Sequence, residues 1–99
     1  MIETLLLSIA MYWYPVTMPD EIILVDKVED VRPVLDEYWA DNGMMAVGLS
    51  VTVGKTCIIY AMKGDTKRDK EIYGHEYAHC ILGADHAKIE DVLVKAKLK

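Results

Sequence analysis

The 99-residue chain lacks the features that mark several classes of protein. It has no internal repeat, no low-complexity linker and no apolar run of the roughly 20 residues that a membrane-spanning helix needs. Basic residues are also few, with 11 Lys and Arg against 16 Asp and Glu and a formal net charge of −5. This acidic balance argues against nucleic acid as a partner. Because 53% of the residues are apolar, we expect one globular domain over residues 1–99.

Cysteine is scarce as well. Cys57 and Cys80 are the only two, which is too few for a disulfide framework, and neither belongs to a C-x-x-C motif. We interpret both as small buried apolar residues. A bridge between a strand and a helix is the alternative if the compartment is oxidising.

The N-terminal segment, residues 1–19, has no single interpretation. Residues 5–14 form a nearly unbroken apolar run that ends at Pro15. The run has the length of a signal-peptide core, but Glu3 stands where basic residues are usual and no A-x-A cleavage site follows. We predict a buried first helix, with a signal remnant or a membrane contact as alternatives. For localisation we accordingly favour the cytoplasm, with export or membrane association as alternatives.

Hydrophobic spacing predicts a strand and a helix in the first half of the chain. Residues 22–25 are a short continuous apolar run, which is typical of a buried strand. Residues 29–41 show helical spacing, and Asn42-Gly43 is a good helix end. Since Pro33 belongs in the first turn of a helix, we expect this helix to begin near Asp30.

A β-hairpin is predicted next. Apolar residues alternate with small or polar ones over residues 47–53, which indicates a half-buried strand. Gly54-Lys55 suits a two-residue turn, and residues 56–62 suit the returning strand. With helices before and after it, the hairpin predicts an α+β fold in which a small twisted sheet packs on a helix.

The most informative residues form the motif His75-Glu76-Tyr77-Ala78-His79. Two histidines four residues apart lie on one face of a helix, close enough to share a tetrahedral metal ion. Glu76 projects from the same side, where it can take a proton from a metal-bound water. The alternative is that the histidines bond to backbone carbonyls and that Glu76 pairs with a lysine such as Lys63.

A zinc site that performs catalysis needs a third protein ligand and an open position. His86 is our first choice, because Gly83 lets the chain fold back after the motif helix. Asp85 is the second candidate, as an oxygen ligand or as an acceptor for a histidine N–H. Glu90 is the third, presented by the last helix.

The motif resembles the HExxH signature of zincin metallopeptidases. The run from His75 to Cys80 and the Asp85-His86 pair are similar to small zincin-like proteins of phage and prophage type, which carry HExAHC followed by Asp-His. The resemblance covers residues 47–86. It implies a minimal zincin-like core, Zn²⁺ as the metal and hydrolysis of peptide bonds with Glu76 as general base.

The resemblance also implies how a peptide or protein substrate would bind. Zincins commonly hold substrate as an extra strand on a sheet edge, and residues 57–62 or 47–53 are the candidates here. Tyr60, Tyr73 and Tyr77 are the candidates for stabilising the oxyanion. Because a short chain leaves little to close a cleft, a second copy or another partner is expected to complete it. The alternative function is a zincin scaffold that binds zinc and grips another protein without catalysis.

Overall fold

The computed structural model describes residues 2–43, 46–62 and 64–99. Over these residues the chain forms a small α+β fold of four helices and one three-stranded sheet, as the sequence predicted. In chain order the elements are α1 (Ile2–Trp13), β1 (Glu21–Val25), α2 (Val28–Asn42), β2 (Leu49–Val53), β3 (Thr56–Tyr60), α3 (Lys67–Leu82) and α4 (His86–Lys95).

The sheet has the strand order β1-β3-β2, so β3 is the central strand. It runs parallel to β1 and antiparallel to β2, and Ile58 aligns with Ile23 on one side and Val51 on the other. The predicted hairpin is confirmed, with its turn at residues 54–55. The prediction of a buried strand at residues 22–25 was wrong, because β1 is an edge strand whose residues alternate in burial and whose Ile23 is 39% exposed.

The apolar face of β2 was expected to be buried, but the structure buries the opposite face. Val51 and Val53 stay exposed on one face. Gly48, the residue just before β2, is buried on the other side. A Cβ added there would lie 2.9 Å from the side chain of Ile72 in α3. The small and polar face of β2 therefore turns toward α3, because only a glycine leaves room for that helix to approach.

Helix α2 begins two residues earlier than the sequence predicted. Lys27 is its N-cap, which places Pro33 in the second turn instead of the first. A proline there has no N–H to donate to the preceding turn, so the helix loses one hydrogen bond and still continues. The predicted end is confirmed, since Gly43 adopts φ +69° and donates its N–H to the carbonyl of Trp39.

The main core lies between the sheet and the three helices α1, α3 and α4. Leu6 and Ala10 of α1 are fully buried there. The predicted first helix is therefore confirmed, and it is buried on the face that carries these two residues. Gly74 of α3 admits the side chains of Leu93 and Leu98, which an added Cβ would approach to 3.4 and 3.1 Å. Among the described residues, no helix is both long and apolar enough to cross a membrane.

Cys57 of β3 and Cys80 of α3 form a disulfide bond, with their Cα atoms 5.8 Å apart. Our interpretation of the two cysteines only as small apolar residues was therefore wrong, and the strand-to-helix bridge holds. Tertiary packing is the reason, since α3 lies against β3 at the separation that a disulfide spans. The bond fixes the C-terminal half of α3 to the centre of the sheet.

Candidate metal centre

Helix α3 carries the HExxH motif, and its two ends are defined by local chemistry. The Thr66 side chain caps the first turn by accepting a hydrogen bond from the Asp69 N–H at 3.1 Å. Tyr77, Ala78 and Ile81 are buried in the core. Burial of this apolar side orients the motif histidines and Glu76 toward the opposite side of the helix.

The turn after α3 returns the chain to the motif. Gly83 ends the helix with φ +80°, a conformation that favours glycine. Asp85 then caps α4 by accepting hydrogen bonds from the N–H groups of Ala87 and Lys88. Asp85 is thus occupied as a helix cap, and it places His86 as the first residue of α4.

The three predicted histidines come together. One ring nitrogen from each of His75, His79 and His86 lies within 4.8 Å of the other two. The Nε2 atoms of His75 and His79 are 3.1 Å apart. Ligands about 2.0–2.1 Å from a tetrahedral zinc ion would be about 3.3 Å apart, so the His75–His79 pair matches that spacing and the three imidazoles together could hold a metal ion.

Polar groups around the cluster orient two of the rings. The Nδ1 atom of His79 is 2.9 Å from the carbonyl oxygen of Gly83. Nδ1–H can therefore donate a hydrogen bond to that oxygen, which leaves Nε2 for a metal. Glu90 lies beside His75, with 4.0 Å between Oε1 and Nδ1, and it also pairs with Lys99. Glu90 is therefore placed behind a ligand instead of among the three converging nitrogens.

Burial and neighbouring charge favour the metal-binding form of the rings. Desolvation is the main reason that the pKa of His75 is lowered, with the neighbouring imidazoles adding to the effect. Desolvation also lowers the pKa of His79, against the hydrogen bond to Gly83. Both rings are then neutral near pH 7, and a neutral imidazole is the form that coordinates metal.

Glu76 is buried beside the cluster, with 8% of its surface exposed. Burial raises its pKa to about 7, while a hydrogen bond with Ser50 acts in the opposite direction. Sequence reasoning missed Ser50, although its place on the polar face of a strand was a signal. The suggested salt bridge to Lys63 involves a residue outside the described ranges.

All four predicted site residues line one cleft of about 290 Å³. Tyr38 of α2 lines it too, together with Leu49 and Ser50 of β2. The prediction that Tyr73 or Tyr77 stabilises the oxyanion was wrong, because both side chains are buried in the core. Sequence periodicity could not separate a tyrosine that faces the core from one that faces the cleft. The remaining wall of the cleft is made by Ala46 and Gly48.

The sheet edge nearest to the cleft is β2. Of the two segments predicted to accept a substrate strand, residues 57–62 are excluded, because β3 is paired on both sides. Within the described part of the chain β2 pairs only with β3, which leaves its other edge available. Leu49 and Ser50, at the start of this strand, contribute to the cleft wall.

Comparisons with protein-family models, with curated proteins and with solved structures found no match for this chain. The similarity to zincins thus rests on the motif residues, and functional inference rests on the chemistry of the cleft.

Proposed function

We propose that the protein is a small zinc-dependent metallopeptidase. The observation that carries this proposal is the convergence of three imidazoles from His75, His79 and His86 beside the buried carboxylate of Glu76, in one cleft. Imidazole nitrogens favour zinc over magnesium or calcium, which prefer oxygen ligands. Three protein ligands with an open fourth position are typical of zinc sites that perform catalysis.

The histidines have the role of holding the metal. When bound, zinc would supply Lewis-acid polarisation of a substrate carbonyl and would lower the pKa of a water molecule. The hydrogen bond from His79 to Gly83 fixes one ring in the orientation that this task requires. The cap at Asp85 fixes the start of α4 and thereby the position of His86.

Glu76 has the role of general base. Its carboxylate shares the cleft with the histidines and bonds to Ser50, which restrains its rotation. In this position it can accept a proton from water and later donate it to the leaving amine of the cleaved peptide. A buried carboxylate is costly to maintain in a fold, which argues that it serves a purpose other than solubility.

The free edge of β2 is the proposed binding site for an extended peptide. A peptide that pairs with this strand gains backbone hydrogen bonds and passes the cleft wall formed by Leu49 and Ser50. The described residues contain no second subdomain above the cleft. We therefore expect slow cleavage and a narrow range of substrates, with a second copy or another protein completing the site.

The test compares Glu76→Gln with Glu29→Gln, a matched change at an exposed residue of α2 that lies away from the cleft. Native mass spectrometry of protein purified without chelator measures zinc, and a fluorogenic peptide library measures cleavage. The expected result is one zinc per chain in all three proteins, with cleavage lost only in Glu76→Gln.

The other outcomes separate the alternatives. Intact cleavage by Glu76→Gln would show that Glu76 is not the base. Zinc without cleavage of any library peptide by the wild-type chain would favour the non-catalytic binding module, in which zinc stabilises a surface that grips another protein. Failure to bind zinc, even when it is added, would overturn both functions.

A further inference from the structure

Beyond Glu3 in its first turn, helix α1 carries no charged residue. Residues 4–19 contain no Asp, Glu, Lys, Arg or His, although the chain has 16 acidic residues elsewhere. The side chains of α1 that reach solvent are those of Thr4, Leu5, Ser8, Met11, Tyr12 and Trp13. Four of these are large and apolar, and they are between 44% and 80% exposed.

This exposure is not required by the fold. Leu6 and Ala10 already anchor α1 to the core through its inner face, and on the outer face Trp13 meets another element where Lys95 of α4 lies over its ring. A surface helix of a soluble domain normally carries charged residues on its outer face. A contiguous apolar surface of this kind usually marks a place where another molecule binds.

Aromatic rings and lysines meet at the C-terminal end of this face. The rings of Tyr12 and Trp13 pack edge to face with their centroids 5.0 Å apart. The Nζ atom of Lys95 lies 4.7 Å from the centre of the Trp13 ring, and that of Lys88 lies 5.8 Å from the Tyr14 ring. The nearby Asp91 carboxylate accepts hydrogen bonds from Tyr14 and Lys95, so Asp91 and Lys95 offset each other's charge and Lys88 adds a further positive charge.

We propose that the exposed face of α1 binds the surface of an anionic phospholipid bilayer. A helix of 12 residues is about 18 Å long, too short to span a bilayer but sufficient to lie in its surface. Trp and Tyr rings prefer the headgroup level, and lysines beside them attract anionic lipid phosphates. The apolar side chains of this face would contact the lipid tails, the aromatic rings would lie at the headgroup level, and the ammonium groups would lie near the phosphates.

Membrane binding through this face is compatible with a working cleft and does not depend on the proposed peptidase activity. Helix α1 packs on the buried face of α3, with Leu6 in the core cluster that includes Ala78. The histidines project from the opposite face of α3. A chain bound to lipid through α1 would therefore leave its cleft turned toward solvent.

The test is flotation of the full chain with vesicles of phosphatidylcholine alone or with 30% phosphatidylglycerol. Trp13→Ser and Trp39→Ser form a matched pair, because the two tryptophans are similarly exposed, at 56% and 50%, and only Trp13 lies on α1. The expected result is flotation that needs the anionic lipid, reduced roughly tenfold or more by Trp13→Ser and unchanged by Trp39→Ser. Lys88→Gln and Lys95→Gln should each reduce it about fivefold.

Fluorescence gives a second measurement, since the chain has two tryptophans. In Trp39→Phe the only remaining indole is that of Trp13, and its emission should shift to the blue with anionic vesicles. In Trp13→Phe the emission of Trp39 should not shift. Circular dichroism checks that each variant is folded, and unchanged zinc content checks that the cleft is intact.

Three results would overturn the proposal. The first is absence of flotation with either kind of vesicle. The second is equal loss of flotation in Trp13→Ser and Trp39→Ser. The third is a dimer in analytical ultracentrifugation that Trp13→Ser dissociates while no form binds vesicles, because the face would then be a contact between copies of the chain.

Discussion

His79 uses its two ring nitrogens for different purposes, and this division is the clearest residue-scale feature of the site. Nδ1 faces the carbonyl of Gly83 at 2.9 Å, while Nε2 faces the ring of His75 at 3.1 Å. The first contact selects the tautomer, and the second directs the remaining lone pair to the cluster. A carbonyl at the end of α3 thus orients, one turn before it, the ring that we propose as a metal ligand.

His86 and Glu90 should differ in their effect on zinc affinity. Loss of a carboxylate that lies behind a metal-ligating histidine usually weakens metal binding about 10–100-fold, so Glu90→Ala should fall in this range. His86→Ala removes one of three ligands and should weaken zinc binding by a larger factor. Competition titration with a zinc-chelating dye measures both constants.

A control for this comparison is Asp91→Ala, which removes a carboxylate from the same helix on its Tyr14 side. It should leave zinc affinity unchanged. If Glu90→Ala weakened binding more than His86→Ala, the ligand would be Glu90, and His86 would be a helix-start residue beside the site.

Gly48 should be intolerant of any side chain. An added Cβ would lie 2.9 Å from Ile72 Cγ2, 3.1 Å from Glu76 Cγ and 3.2 Å from Glu76 Oε2. We expect Gly48→Ala to lower the free energy of unfolding by about 1–3 kcal/mol, because overpacking forces the strand or the helix to move. Urea denaturation followed by circular dichroism measures this change.

Gly54→Ala is the comparison for that variant. Gly54 has φ +61°, and nothing lies within 4 Å of its added Cβ, so its cost is one of backbone conformation alone. Zinc affinity and peptide cleavage should be unaffected by Gly54→Ala but reduced by Gly48→Ala, which displaces Glu76. Equal behaviour of the two variants in these assays would contradict a role for close packing at Gly48.

At the scale of elements, the disulfide joins the central strand to the helix that carries the site. Cys57 and Cys80 are 23 residues apart in the chain, and Cys80 directly follows His79. The disulfide therefore restrains the fold near the proposed metal ligands, and it also restricts the unfolded chain. Helix α3 is held at its other end by the Thr66 cap, so both halves of the helix are restrained.

Reduction of this disulfide should destabilise the protein by about 3 kcal/mol, because a loop of this length loses that much chain entropy when it is closed. Urea denaturation with and without a phosphine reductant measures the difference. The double variant Cys57→Ala/Cys80→Ala should be equally unstable in both conditions. A wild-type curve that does not change with reductant would mean that the thiols are not bridged in solution.

In the molecule as a whole, the candidate metal site connects separate parts of the fold. His75 and His79 belong to α3, His86 begins α4, and the cleft wall comes from α2 and β2. The unfolded chain cannot hold these groups together. The metal binding that we propose would for this reason be coupled to folding.

Added zinc should raise the midpoint of thermal unfolding. At a free zinc concentration about 100 times the dissociation constant, the stabilisation is about 2.7 kcal/mol. For a domain of this size that corresponds to roughly 10–20 °C. Differential scanning calorimetry measures the shift, and His79→Ala and magnesium serve as controls that should show none. An equal shift in His79→Ala would place the bound zinc elsewhere.

Local sequence patterns predicted much of the fold, because each depends on residues close together in the chain. Helical spacing and the 54–55 turn are properties of a few neighbouring residues, and the structure contains both. The α2 start and the burial of β1 were predicted wrongly. Both depend on which other elements pack beside α2 and β1. The helix or strand propensity of single residues such as Pro33 or Ile23 does not contain that information.

Residue spacing along the chain is enough to specify the candidate chemistry. The i, i+4 spacing of His75 and His79 with Glu76 between them puts three functional groups on one side of any helix. Tertiary structure alone decided which other groups join them. It selected His86 over Asp85 and Glu90, placed Ser50 and Tyr38 in the cleft, buried Tyr73 and Tyr77, and joined Cys57 to Cys80. The physical reason is that these contacts connect residues from different elements, and their distances exist only after the helices and the sheet have packed.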